Sequence, residues 1–180
     1  WPDGCRGHRG IRSLSLRVRP GELLLITGPI GCGKSVLLEA FAGTRPALAG
    51  VCNIRERPTA YVAQRPWLLN ETLLENVTFG RPEDQEELAR VLDCCALEQD
   101  LHVLPQGLST QVGEEGVQLS GGQKQRVSLA RALYSGAKVV LMDDVLSALD
   151  AQVGRHVWEA AVCKALAGRT RIMATHQVQF

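Results

Sequence analysis

Hydrophobic positions recur along this chain with two different periods, and these periods separate strands from helices. Leu14, Leu16 and Val18 alternate with polar residues, which is the period of a half-buried strand. Unbroken apolar runs within residues 22–27 and 138–142 predict buried strands, whereas apolar positions three and four apart predict helices. Further strands are predicted at residues 51–54, 60–63 and 171–175, and helices at residues 36–42, 71–77, 84–96, 101–104, 120–134 and 151–166.

Strands that alternate with helices predict an α/β fold with a mostly parallel, doubly wound sheet. Residues 65–137 differ from their surroundings because helical patterning dominates there, which indicates a small helical insert. Ligands of such sheets lie at the carboxyl ends of the strands. Three stretches with reactive side chains follow predicted strands in this way, namely residues 28–35, the pair Asp143 and Asp144, and His176.

Length, charge and cysteine content narrow the class of protein. A chain of 180 residues is typical of one domain, and its 20 basic and 19 acidic residues leave no positive surplus for nucleic acid. The six cysteines form no C-x-x-C pair and show no metal-ligand spacing with histidine, so we expect them to be reduced. The sequence contains no signal peptide and no apolar run long enough to cross a bilayer.

Residues 28–35 read G-P-I-G-C-G-K-S and lie between a predicted strand and a predicted helix. This context is typical of a phosphate-binding loop, in which glycines turn backbone N–H groups toward the phosphates. Lys34 can reach the β- and γ-phosphates, and the Ser35 hydroxyl can bind Mg²⁺. The alternative is a glycine-rich turn without a ligand.

Two further stretches have chemical and purely structural interpretations. The apolar strand that ends at Asp143 matches the aspartate that holds Mg²⁺ in P-loop enzymes, although such residues also cap helices. In the sequence L-S-G-G-Q, Ser120 can cap a helix while Gly121 and Gly122 leave its first N–H groups open to an anion. The alternative for this stretch is a capped helix start alone.

Together these stretches resemble the nucleotide-binding domain of an ATP-binding-cassette (ABC) transporter, in the family's order and over nearly the whole chain. Residues 28–35 match the Walker A loop and residues 139–143 match Walker B. Residues 119–123 match the family signature, and residues 147–150 match the D-loop. The resemblance implies a P-loop NTPase core with a small helical subdomain and a reduced antiparallel β region.

Three single residues acquire roles from the resemblance alone. Trp1 resembles the aromatic that stacks on adenine, Gln64 the glutamine that senses Mg²⁺, and His176 the switch histidine at the γ-phosphate. Their alternatives are a loose terminal aromatic, a polar loop residue and a surface histidine. The resemblance implies that ATP is bound by Trp1, Gly28, Gly31, Cys32, Gly33, Lys34, Ser35, Val36, Ser120, Gly121, Gly122 and Gln123, that Mg²⁺ is held by Ser35, Gln64 and Asp143, and that Asp144, His176 and Gln64 are catalytic.

Two details are similar to the first nucleotide-binding domain of the C subfamily, the multidrug-resistance-associated type. The interval between Lys34 and Gln64 is short, and Asp144 stands where a competent site carries Glu. We expect residues 1–64 and 138–180 to form the α/β core and residues 65–137 the helical subdomain. The family's first and last strands have no counterpart, so we expect a piece of a longer membrane protein.

The resemblance also implies how such a domain works. Two domains enclose two ATP molecules head to tail, and the region after Gln64 contacts transmembrane domains at the cytosolic face of a membrane. Because Asp144 is one methylene shorter than Glu, we expect this site to bind MgATP and cleave it slowly. The alternatives are a regulatory nucleotide sensor or channel gate of the same subfamily, and a soluble ABC ATPase.

Overall fold

The computed structural model describes residues 11, 13–46 and 49–176 and contains two sheets. The strands are β1 (Leu23–Ile26), β2 (Thr59–Val62), β3 (Glu71–Thr72), β4 (Gln111–Val112), β5 (Val139–Asp143) and β6 (Thr170–Ala174). The helices are α1 (Lys34–Ala42), α2 (Leu73–Thr78), α3 (Gln85–Cys94), α4 (Glu98–Val103), α5 (Gly121–Tyr134) and α6 (Ala151–Val157), followed by a π-helix (Trp158–Ala165); a 3₁₀ turn covers Gly107–Ser109.

The main sheet has four strands in the order β1-β6-β5-β2, and every pairing is parallel. This arrangement confirms the predicted α/β fold with a parallel sheet. Ile26 and Asp143 both pair with Ala174, so the carboxyl ends of three strands meet at one edge. The segments that leave this edge contain the phosphate loop, Asp144 and His176.

Both faces of the main sheet are covered, which is why β5 reads as an unbroken apolar run. Val139 and Leu141 face one side, where they pack with Leu38 of α1. Val140 and Met142 point to the opposite side and join the larger core, to which helices α2, α3, α5 and α6 contribute. The phosphate loop therefore lies between β1, which is half-buried with Leu25 exposed and so less buried than predicted, and a helix packed on the same sheet.

Two predicted strands are wrong. Residues 14–19 and 51–54 are irregular, and the structure pairs neither segment with a strand of the described part of the chain. Leu14 and Leu16 are exposed, and Val51 is 95% exposed, so their apolar side chains find no covering layer there. Alternation alone cannot make a strand, because a strand needs a neighbour for its backbone hydrogen bonds.

The expected small antiparallel region is present as the pair β3–β4. The sequence does not indicate where it lies, because two residues per strand carry no readable period. This pair also displaces the start of the helix predicted at residue 71. Thr72 caps α2 through a capping box with Glu75, so the helix begins at Leu73. The helix predicted at 151–166 is present over nearly that range, but its second half is the π-helix.

Candidate functional site

The phosphate loop needs glycine because of its backbone. Gly28, Gly31 and Gly33 have φ values of 153°, 80° and 102°, which L-residues with a side chain rarely adopt. Gly33 is the N-cap of α1 and provides no side-chain cap, so the first N–H groups of α1 remain open. Open N–H groups at the positive end of a helix dipole attract anions.

Lys34 folds back over this loop. Its Nζ donates to the carbonyl oxygens of Gly28 at 2.7 Å and Pro29 at 3.1 Å, so the ammonium group lies against the loop that it follows. Cys32 and Val36 are exposed on the same turn. A Cβ on Gly28 would lie 3.0 Å from Cys32 Sγ, and this close contact is a second reason for glycine there.

Asp143 ends β5 beside the first turn of α1 and is almost fully buried. Burial raises the pKa of this carboxyl group, and a hydrogen bond from the Ser35 hydroxyl opposes the increase. Tyr61 OH lies 3.5 Å from Asp143 Oδ2, and burial together with that carboxylate raises the pKa of Tyr61 to about 12. The phenol is therefore protonated at neutral pH and faces the carboxylate as a donor.

Tyr61 is a site residue that no sequence pattern indicates. It contacts Asp143 only because β2 pairs with β5, and this pairing cannot be read from either strand alone. The donor set at this edge fits magnesium, since it combines the Ser35 hydroxyl, the Asp143 carboxylate and the carbonyl of Gln64. Within the described residues no cluster of three His, Cys, Asp or Glu side chains could hold a metal, and Mg²⁺ bound with phosphates needs only one or two protein ligands.

Asp144 brings the three residues predicted as catalytic together. Its side chain is 9% exposed, with Oδ1 2.9 Å from His176 Nδ1 and Oδ2 3.5 Å from Gln64 Nε2. The backbone has a φ of 51°, a left-handed value that Asp tolerates better than most residues. Its N–H donates to Ala174 O at 2.8 Å, which fixes this turn against β6.

The stretch predicted as a signature begins α5 with a capping box. Ser120 Oγ accepts from the Gln123 N–H at 3.2 Å, while Gln123 Oε1 accepts from the Ser120 N–H at 2.8 Å. A Cβ on Gly122 would lie 2.8 Å from Ala148 O, so glycine lets residues 147–150 approach the helix closely. Gly121 faces open space.

Within the described residues, the side chains of Ser120 and Gln123 bond to each other's backbone, Gln123 also bonds to Asp100, and no hydrogen bond joins this stretch to the phosphate loop. A different residue of α5 does reach the phosphate-site side of the sheet. Gln125 is almost fully buried, and its Nε2 donates to Ala63 O at 3.2 Å, next to Gln64. Gln125 is not among the site residues predicted from sequence; its only signal is a polar residue among the apolar positions of the helix.

An aromatic face lies beside residues 65–79. Trp67 and Phe79 are each 50% exposed and meet edge to face at 5.8 Å, and Leu69 extends the same surface. The guanidinium of Arg131 stacks on Trp67 at 4.2 Å and on Phe79 at 5.0 Å. Burial lowers the pKa of Arg131 to about 10, so it remains charged at neutral pH.

Asn76, which is fully buried, connects Arg131 to this face. Its Oδ1 accepts from the Leu69 N–H at 2.8 Å and from Arg131 Nη2 at 3.0 Å, and its carbonyl oxygen accepts from Arg131 Nε at 2.8 Å. The adenine contact predicted for Trp1 falls outside the described residues. Of the helices that the structure describes, none is both long enough and apolar enough to cross a bilayer.

Sequence comparisons with known proteins indicate the family of this chain. Residues 11–147 match the family model described as ABC transporter. The chain is 45% identical over 170 residues to ATP-binding cassette sub-family C member 4 of Mus musculus, and this match covers 94% of the chain but 13% of that protein. It is 44% identical over 181 residues to multidrug resistance protein mrp-7 of Caenorhabditis elegans, covering 99% of the chain and 12% of that protein.

These relatives confirm the predicted resemblance to the C subfamily of multidrug-resistance-associated type. The chain spans only about an eighth of their length, so its family membership follows from the matched domain and not from the whole relatives. The parallel sheet, the glycine loop that precedes α1 and the match over residues 11–147 lead to one conclusion. This chain belongs to the ABC transporter family.

Proposed function

We propose that the chain is a nucleotide-binding unit that holds MgATP at the carboxyl edge of its main sheet. The glycines of residues 28–33 and the open start of α1 support this, because they offer backbone N–H groups to phosphate oxygens. Lys34 supplies a positive charge at the same loop. Ser35, Asp143 and Gln64 would hold the magnesium ion, which neutralises phosphate charge when it is bound.

The signature residues serve a second nucleotide-binding domain. Residues 120–123 form no hydrogen bond with the phosphate loop of the same described chain, whereas Ser120 and Gly121 lie exposed at the start of α5. A head-to-tail pair would bring this helix start to the partner's ATP. In that arrangement ATP closes the pair, and its cleavage opens it.

The aromatic face of Trp67, Leu69 and Phe79 is the contact for transmembrane domains. Its half-exposed rings offer apolar area to a partner, and the guanidinium of Arg131 stacks on both rings and fixes their orientation. A unit docked in this way works at the cytosolic face of a membrane. We assign residues 1–64 and 138–180 to the α/β core and residues 65–137 to the helical subdomain that carries this face.

The site on this chain cleaves ATP slowly. The observation that carries this proposal is the position of the Asp144 carboxylate, which is buried between His176 and Gln64 at the end of β5. A carboxylate there orients or deprotonates the attacking water. Asp is shorter than Glu by one methylene, and a displacement of about 1 Å costs on the order of a hundredfold in rate.

The test is Asp144→Glu in the full-length transporter, with trapping of the hydrolysis product by vanadate at this site. We expect trapping to increase, because Glu extends the carboxylate toward the water. Asp93→Glu makes the same change on the exposed surface of α3 and is the matched control. Trapping that stays equal in the two variants would contradict the proposal.

A second function, a regulatory nucleotide sensor or channel gate, is favoured by the same residue. A site that holds ATP without rapid cleavage is suited to sensing, since occupancy then follows the nucleotide concentration. ATP-dependent substrate uptake into inverted membrane vesicles distinguishes this function from export. Uptake that stops when Lys34 is replaced by Ala supports export, and its absence in the unaltered protein supports sensing.

A further inference from the structure

The amide group of Gln123 is held at both of its ends. Its Oε1 accepts from the Ser120 N–H at 2.8 Å, and its Nε2 donates to Asp100 Oδ1 at 2.8 Å. Asp100 belongs to α4, so a second helix takes part in the capping box that begins α5. The two bonds together hold the amide in one orientation.

Asp100 determines which way this amide points. A carboxylate offers only acceptors and a backbone N–H only donates. If the amide turned by 180°, Oε1 would face the Asp100 carboxylate and Nε2 would face the Ser120 N–H, so both hydrogen bonds would be lost. The orientation of Gln123, and with it the capping box around Ser120, depends on the acceptor at residue 100.

The other oxygen of the same carboxylate is used one helical turn further along α5. Arg126 Nη1 donates to Asp100 Oδ2 at 2.5 Å and also to the carbonyl of Ala96, between α3 and α4. The side chains of Asp100 and Arg126 are only 14% and 12% exposed. Removing one partner of such a sheltered pair costs more than removing a surface charge.

We propose that Asp100 is a positioning residue for the signature, acting through Gln123 on the Ser120 hydroxyl. The inference rests on the proposed function, in which Ser120 faces the ATP of a partner domain. Ser120 Oγ accepts from the Gln123 N–H, and its own hydrogen has no recorded acceptor among the described residues. That hydrogen is therefore left to donate to an incoming phosphate oxygen, provided that the capping box is intact.

Asp100→Asn is the sharpest variant. Asn has nearly the same shape, but one of its two polar atoms is a donor. Its single oxygen can accept from Gln123 Nε2 or from Arg126 Nη1. The other of these two donors then faces the Asn NH₂ group and loses its hydrogen bond. Asp84→Asn is the matched control: Asp84 caps α3 in the same region, the change removes the same charge, and Asn caps helices as well as Asp.

The experiment uses the full-length transporter and two measurements. Photolabelling by an ATP analogue reports the site on this chain, and ATP turnover at the partner's site reports the signature. We expect Asp100→Asn to lower kcat/KM at the partner's site about tenfold, the effect of one charge-assisted hydrogen bond, and to leave labelling of this chain unchanged. Asp84→Asn should change neither quantity.

A cycle with Ser120→Ala separates positioning from general stabilisation. When Ser120 is already Ala, Asp100→Asn should cost less than twofold, because its effect passes through that hydroxyl. A further tenfold loss in the double variant, or equal loss of labelling, overturns the inference and leaves the proposed function standing. If Ser120→Ala itself leaves turnover at the partner's site unchanged, the proposed function fails, and the inference fails with it.

Discussion

Ala148 O lies 2.8 Å from the point that a Cβ on Gly122 would occupy, closer than side-chain carbons approach carbonyl oxygens. The D-loop stretch 147–150 therefore packs directly on the first turn of α5 and has no room for a methyl group. Gly122→Ala should destabilise the protein by about 1–3 kcal/mol, the cost of overpacking. Thermal unfolding of the full-length protein measures this change.

Gly121→Ala is the control for that measurement. Gly121 belongs to the same helical turn but meets open space, so Ala there should change the free energy of unfolding by no more than about 0.5 kcal/mol. A similar fall in unfolding temperature for both variants would contradict the close packing of Gly122 on Ala148.

Lys34→Ala should abolish photolabelling by an ATP analogue. The ammonium group lies on the phosphate loop, where it bonds to Gly28 O and Pro29 O, and its loss leaves the phosphates without their nearest positive charge. Lys138→Ala removes the same charge from an exposed residue just before β5, at the amino ends of the strands, and the variant should be labelled normally. Labelling retained by the Lys34 variant would refute the phosphate-loop assignment.

Cys32 should react with a thiol reagent, and MgATP should protect it, since the residue is exposed within the phosphate loop. Cys163 is exposed on the π-helix and should react equally with and without nucleotide. Cys95 is fully buried, and burial raises the pKa of its thiol, so it should not react before unfolding. Mass spectrometry of the labelled peptides measures all three; equal labelling of Cys32 under both conditions contradicts its placement.

Arg131→Lys should weaken the aromatic face despite keeping the charge. A lysine cannot donate to both oxygens of Asn76 while it stacks on Trp67, so the fully buried Asn76 loses a partner. We expect a loss of about 1–3 kcal/mol in the free energy of unfolding. Arg90→Lys, in an exposed pair with Glu87, should change it by less than about 1 kcal/mol.

The parts of this fold that could be predicted from sequence are those determined by neighbours along the chain. Strand β5, the turn at Gly33 and the capped start of α5 at Ser120 each carry their own local signal. The strand predicted at residues 51–54 carried the same kind of local signal and is wrong, because no partner strand lies beside it in the described structure.

The candidate site depends more on pairings that no local pattern contains. Asp144 meets His176 because β5 lies next to β6, and Tyr61 meets Asp143 because β2 lies on the other side of β5. Asp100 of α4 meets Gln123 of α5, 23 residues further along the chain, because these two helices pack together. The spacing of the motifs indicated which residues belong to the site, whereas the contacts between those residues follow from strand order and helix packing.

The hydrogen bond from Gln125 to Ala63 O connects the proposed slow site to helix α5. One end of this contact adjoins Gln64, which we assign to this chain's own ATP site, and the other lies on the helix whose first residues we assign to the ATP of a partner domain. If the loop at residue 64 shifts, α5 would move with it through this hydrogen bond, and the start of α5 would change position. In the proposed pair, the occupancy of this chain's slow site would then control the rate of ATP turnover at the partner's site.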